Sequence, residues 1–157
     1  MGKVKMVLNR SIPMVLIAVA LMIPATGEAG SVTIWPDQLI PTIPASSHQQ
    51  SILNVSNGSF YAPITIPIGA QIVRINYYHS GEAGPASTRF TVGRMPLGNN
   101  AELIGGAEST DATGAIIRVA VPITGNPIIR SGYRYYVRVV SDYENSLFLG
   151  AKIVYRE

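Results

Sequence analysis

Apolar and polar residues alternate with period two along five stretches of this chain. In 72–79 (IVRINYYH), Val73, Ile75 and Tyr77 share one face, and Arg74, Asn76 and Tyr78 the other. In 88–92 (TRFTV), Thr88, Phe90 and Val92 fall together against Arg89 and Thr91. In 116–121 (IIRVAV), Ile117, Val119 and Val121 oppose Arg118. In 133–139 (YRYYVRV), Tyr133, Tyr135, Val137 and Val139 oppose Arg134, Tyr136 and Arg138. In 147–155 (LFLGAKIVY), Leu147, Leu149, Ala151, Ile153 and Tyr155 face in, and Lys152 and then Arg156 face out. Alternation, β-branched and aromatic enrichment, and a cation on the wet face predict half-buried antiparallel strands. The expected core therefore includes Val73, Ile75, Phe90, Val119, Val137, Leu149 and Ile153, with Arg74, Arg89, Arg118 and Lys152 in solvent.

Turn-forming residues separate these runs. Ser56-Asn-Gly-Ser59, Pro67-Ile-Gly69, Pro96-Leu-Gly-Asn-Asn100, Asp111-Ala-Thr-Gly114 and Thr124-Gly-Asn-Pro127 are examples. Short strands between frequent turns, with no amphipathic helix, predict an all-β fold: an antiparallel β-sandwich, jelly-roll-like. The expected core domain is 60–157. Residues 30–59 join it as an irregular segment with edge strands, because Pro36, Pro41 and Pro44 cannot sit in a central strand.

The first 29 residues stand outside the β pattern. Lys3, Lys5 and Arg10 precede the uncharged run Pro13–Ile23, and small residues follow up to Ala29. That is the order of a cleaved secretory signal peptide, with the cut after Ala29 or Gly27. The competing reading, a retained anchor, wants about 20 apolar residues, and this run is shorter. Export implies a secreted, extracellular, periplasmic or cell-surface protein that meets the membrane only through the signal.

Only 13% of the residues are charged, so uncharged polar side chains must cover the surface. Three of the twelve basic residues lie in the first 29, leaving nine basic against eight acidic beyond them. No basic patch of the kind that binds nucleic acid is expected. With no cysteine there is no disulfide, and the remaining roughly 125 residues suffice for a core without one.

The stretch Phe60-Tyr-Ala-Pro-Ile-Thr-Ile-Pro-Ile-Gly-Ala-Gln-Ile-Val73 resembles the "aPv.lP.GA.I" opening strand of a family of small secreted bacterial β-sandwich proteins of uncharacterised role. Tyr133–Val139 and Leu147–Tyr155 are similar to its closing pattern "Y.Y.v.v…l.l.GvrI.Y", and 32–41 more weakly to its first segment. His79-Ser-Gly-Glu82 departs from the Asp-Asn-Ser that usually follows the second strand in that family. The last strand is also loosely similar to that of complement and tumour-necrosis-factor jelly rolls. The resemblance implies a fold and assigns no function.

Candidate chemistry is sparse. His48 and His79 have no nucleophile-elbow sequence near them, and the acids are scattered through turns, so no catalytic residue is assigned and an enzyme is not expected. Asp142, Glu144 and Asn145 cluster in one loop and are the candidate ligands for Ca²⁺; no other cofactor is expected. Asn54-Val-Ser56 and Asn57-Gly-Ser59 match the glycosylation acceptor pattern. Tyr78, Arg134, Tyr136 and Arg138 all fall opposite the core. Exposed Tyr and Arg make either a subunit interface or a platform for a sugar ring. The sequence alone favours a secreted structural or interaction module that self-assembles into a homo-oligomer; the alternative is a glycan-binding module with a polysaccharide partner.

Overall fold

In the computed structural model, the described residues are 29–41, 53–54, 58–81, 87–98, 100–109, 114–141 and 146–157. They form two antiparallel five-stranded sheets. The first sheet is built around β5 (Gln71–Gly81) and β10 (Ser146–Arg156). β1 (Ala29–Ile34) and β3 (Leu53–Asn54) pair with β10, and β8 (Ile117–Ala120) closes the far edge against β5. The second sheet runs in the order β2 (Ile40–Pro41), β4 (Gly58–Ile64), β9 (Tyr133–Ser141), β6 (Thr88–Pro96), β7 (Glu102–Ser109). The chain crosses between sheets at nearly every turn, which gives the jelly-roll character.

The alternation expected from the sequence holds on β6 and β9. Thr88, Phe90 and Val92, and Tyr135, Val137 and Val139, are buried between the sheets. Phe60, Ala62 and Ile64 of β4 point the same way, and Pro63 stands outside. Beyond β2, which reaches only Tyr61, this stretch of β4 pairs on one side alone, so the missing N–H of Pro63 breaks no ladder bond. Across the sandwich, Tyr77 of β5 stacks on Phe90 of β6 at 5.2 Å, and Phe90 on Phe148 of β10 at 6.1 Å. The Tyr77 hydroxyl donates to the Thr88 carbonyl at 3.0 Å, a buried polar link between the two sheets.

Three expected core residues are not buried, two of them for one reason. Val73 is 42% exposed, because Ile72 pairs with Tyr155 and Arg74 with the adjacent Val154, which leaves Val73 as an unpaired extra residue. Inward positions are even-numbered before this bulge (Ile72) and odd-numbered after it (Ile75, Tyr77, His79). A second bulge at Leu149 does the same to β10: His79 opposes Phe148, Tyr78 opposes Gly150, and Leu149 lies between. Phe148 therefore fills the core in place of Leu149, which is only half-buried, before Ala151 and Ile153 resume. A bulge inserts one residue and inverts every face assignment beyond it. Val119, on the edge strand β8, is also only half-buried.

Residues 121–130 seal one end of the sandwich. Ile72 donates to the Pro127 carbonyl at 3.0 Å and Ile129 to that of Ala70 at 2.8 Å, while Thr124 and Gly125 donate to Ile104 at 2.9 Å each. The segment ties β5 of one sheet to β7 of the other.

Candidate functional site

The four residues expected to form one platform lie on opposite sides of the molecule. Tyr78 is on β5 in the first sheet; Arg134, Tyr136 and Arg138 are on β9 in the second. The sequence pattern placed all four opposite the core, and a sandwich has two faces that meet that description.

On the outer face of the second sheet the side chains engage one another. The Arg138 guanidinium lies over the Tyr61 ring at 5.6 Å and donates to Ser59 Oγ at 3.0 Å. The Tyr61 and Tyr136 rings are 5.7 Å apart. Tyr136 lies across its cross-strand partner Gly93, where a Cβ would come within 2.6 Å of the phenol oxygen. A ring laid over a glycine restores the packing that the missing side chain forfeits. Burial pushes the Tyr136 phenol above its ordinary pKa. At the edge, Arg89 pairs with Glu108 at 3.0 Å, and this hydrogen-bonded pairing holds the Glu108 carboxyl below its usual range. Arg134 is exposed and borders a separate depression of about 340 Å³ at the end of the sandwich.

The outer face of the first sheet is open. Register sets its rows: Thr33, Lys152, Asn76 and Ala120 lie side by side across β1, β10, β5 and β8, and Gly150, Tyr78 and Arg118 form the next row. Trp35 follows β1 at the end of that second row. Its backbone N–H donates to Gln38 Oε1 at 2.9 Å, tying the end of β1 to the short 3-10 turn Pro36–Gln38. Trp35 is 57% exposed. It and Tyr78 flank a depression of about 230 Å³ whose other lining residues include Gly150, Leu149 and Lys152. Gly150 sits at φ 142°, a conformation that L side chains rarely adopt, and a Cβ there would meet the Ile34 carbonyl at 3.1 Å and the indole at 3.9 Å. Leu149, at the bulge, and the buried Gly150 line the depression between the two rings. Tyr78 and Lys152 also border a second, adjoining depression of about 570 Å³ lined by Arg74, Asn76 and Arg118. Among the described residues, neither lining contains a carboxylate. Among the described residues, Arg74, Arg118 and Lys152 form no ion pair.

The remaining candidates do not form a site among the described residues. Asp142, Glu144 and Asn145 lie outside them, as does His48, and no metal-holding cluster of His, Cys, Asp and Glu occurs within them. His79 is not at an exposed strand end. It is buried, stacks on Tyr77 at 5.5 Å, and its Nε2 is 2.8 Å from Ser109 Oγ. Burial pushes the Tyr77 phenol up to about 12. Arg94, which the sequence did not single out, occupies the fourth inward position of β6. It is held by Glu102 at 2.6 Å and by the Tyr133 ring at 4.7 Å, and its Nη1 has no partner. That is a structural ion pair at the end of the core.

Sequence reading passed over Trp35, Gly150 and Lys152 as members of a site. Trp35 sits in a proline-rich segment that carries no period, and Gly150 reads as an ordinary break in a strand. The sole tryptophan next to a proline, in a chain otherwise built on Tyr and Phe, was the signal available.

No protein-family model matches the chain, and no curated protein matches it. Among solved structures, it is similar to a GH26-CBM35 β-(1,4)-mannanase of Podospora anserina, at 13% identity and a TM-score of 0.50. That likeness covers 79% of this chain and 27% of the mannanase chain, so this chain spans about a quarter of that protein's length. A CBM61 solved in complex with β-1,4-galactotriose shares 16% identity at a TM-score of 0.40, over 81% of this chain and 70% of that one. Eiger TNF from S. frugiperda shares 9% at 0.39, over 82% and 85%. Likenesses at such identities speak to the jelly-roll sandwich alone.

Proposed function

We propose that this domain is a non-catalytic binding module that holds a polysaccharide chain against the outer face of its first sheet. The observation that carries the reading is the glycine-floored gap between Trp35 and Tyr78. A pyranose ring has an apolar C–H face and a polar rim. Two aromatic rings at the edges of a shallow depression offer surface to the first, and Asn76, Thr33 and Lys152 offer hydrogen bonds to the second. No carboxylate pair of the kind a glycosidase needs lines the gap, so the proposal assigns the domain no bond-breaking step. The signal-like segment 1–29 and the resemblance to secreted sandwich proteins support an extracellular location, where such polymers are found. Among the described residues, no helix is long and apolar enough to cross a membrane.

Self-assembly, the role the sequence alone favours, rested on Tyr78, Arg134, Tyr136 and Arg138, of which Tyr78 lies on the other face. Tyr136 and Arg138 are engaged with their own neighbours, which lowers what they can offer a second copy. The test combines retention on a panel of insoluble polysaccharides with sedimentation of the same protein. Trp35→Ala and Tyr78→Ala should each abolish retention, and Tyr136→Ala should leave it unchanged. If no polysaccharide retains the protein, and it instead sediments as an oligomer that Trp35→Ala dissociates, the face is an assembly surface.

A further inference from the structure

We infer that the polysaccharide on this face is a carboxylated one, a polyuronate chain, read through Arg74, Arg118 and Lys152. The inference rests on the glycan reading above and adds the chemical class of the sugar. Beyond residue 29 the chain is nearly neutral, with nine basic residues against eight acidic ones. Yet among the described residues the joined depressions on the first sheet gather three cations and no acid. Of the other arginines named above, Arg89 pairs with Glu108, Arg94 with Glu102, and Arg138 with Tyr61 and Ser59, while Arg134, with no ion pair among the described residues, borders a separate depression. Three cations gathered beside aromatic rings, with no acid among the described residues lining the same depressions, point to an anionic ligand.

The arrangement interleaves the two kinds of group. Tyr78 lies between Arg118 on β8 and Gly150 on β10, and Lys152 lies one row along, beside Asn76. With strands about 4.8 Å apart and about 6.8 Å per two residues, the Cα of Lys152 falls about 8 Å from that of Arg74 and about 12 Å from that of Arg118. Side chains so spaced can meet charges repeated along one extended chain. They would crowd around a single small anion only from different directions.

Uronates fit both halves of the site. Replacing the exocyclic hydroxymethyl by a carboxylate leaves the C–H face of the ring free to stack on Trp35 or Tyr78. It places a planar, bidentate acceptor at the rim, where a guanidinium matches it best. A heavily sulfated chain would need the cations and make little use of the rings. Single-stranded nucleic acid also stacks and carries charge, but it is held by broad basic tracks that this nearly neutral chain lacks.

The experiment compares polygalacturonate and alginate with their fully esterified, uncharged forms, and includes heparin and oligo-dT as competitors. Esterification removes the charge and keeps the ring face. The free acid of at least one polymer should bind tenfold or more tighter than its ester, and that preference should shrink as salt rises. Arg118→Gln should weaken binding to the acid form about tenfold and leave the ester unchanged, while Lys152→Gln, which also removes a hydrogen-bond donor to the neutral rim, should weaken the acid form more than the ester. Thermal unfolding midpoints should verify that both variants are folded. Equal binding to acid and ester, or retention on neutral polymers only, overturns the inference and leaves the glycan reading standing. Tighter binding of heparin or oligo-dT than of either polyuronate also overturns it. Failure to bind any polysaccharide, charged or neutral, overturns the glycan reading as well.

Discussion

The two outer faces of this sandwich are built from the same residue types and reach opposite outcomes. On the second sheet, Tyr61, Tyr136, Arg138 and Ser59 close into a connected layer, and Tyr136 covers Gly93. On the first sheet, Trp35 and Tyr78 border a depression of about 230 Å³ beside the buried Gly150, and Arg74, Arg118 and Lys152 have no acid among the described residues. On one face the aromatic rings pack against each other and a neighbouring glycine; on the other a depression remains between them. Tyr and Arg on a wet face therefore mark a binding surface only where they lack partners in their own sheet.

The largest expected effect tests what the two faces share. Phe90 stands at the centre of the Tyr77–Phe90–Phe148 stack and is fully buried. Phe90→Ala should cost about 3–5 kcal/mol in denaturant unfolding, the transfer loss plus the cavity left behind. Because the stack joins both sheets, amide protection in β9 and β10 should fall together. If one sheet kept its protection, the faces would belong to separately stable units and could not be compared as two sides of one body.

A smaller effect follows from the Tyr77 phenol, which spans the sandwich to the Thr88 carbonyl. Its pKa is raised from 10.0 to about 12, first of all by burial. The unfolded chain gives up this proton at lower pH than the native one. The contribution is therefore complete below about pH 10 and is lost as pH rises toward about 12, with a ceiling of about 2.7 kcal/mol for two units. Unfolding free energies of the wild type and Tyr77→Phe, measured from pH 9 to 12, should differ by a gap that changes with pH in this sense. A constant gap would show that the phenol titrates normally and that the link between sheets is solvated.

How far the sequence foretold this molecule depends on where local pattern was enough. β6 and β9 were legible residue by residue, since Phe90, Val92, Val137 and Val139 lie in unbroken alternation with a regular partner. β5 and β10 were legible as strands and misread in part, because the bulges at Val73 and Leu149 invert the phase without leaving a mark in composition. The site was the least visible part. Alternation tells only that Tyr78 and Tyr136 avoid the core, and the choice between two outer faces is made by strand order, which is a long-range property. Trp35 reaches Tyr78 only because β1 pairs with β10 and β10 with β5, two contacts that no window of sequence contains.

The smallest expected effects decide whether the contrast between faces is one of coupling. Two double-mutant cycles measure it by unfolding free energy. On the second face, Tyr61→Ala with Tyr136→Ala should show a coupling of about 0.5–1.5 kcal/mol, since the rings touch each other and each substitution removes part of the other's surroundings. On the first face, Arg118→Ala and Lys152→Ala should each change stability by no more than about 0.5 kcal/mol, because both side chains are exposed. Their effects should add, as expected of side chains on strands separated by β5 with no shared partner. Any departure should be slightly stabilising, from relief of repulsion between like charges, and should shrink with salt. A favourable coupling on the first face as large as that on the second would mean that its side chains also satisfy one another. The face would then be a packed surface like its opposite, and the gap between Trp35 and Tyr78 would lose its claim to a ligand.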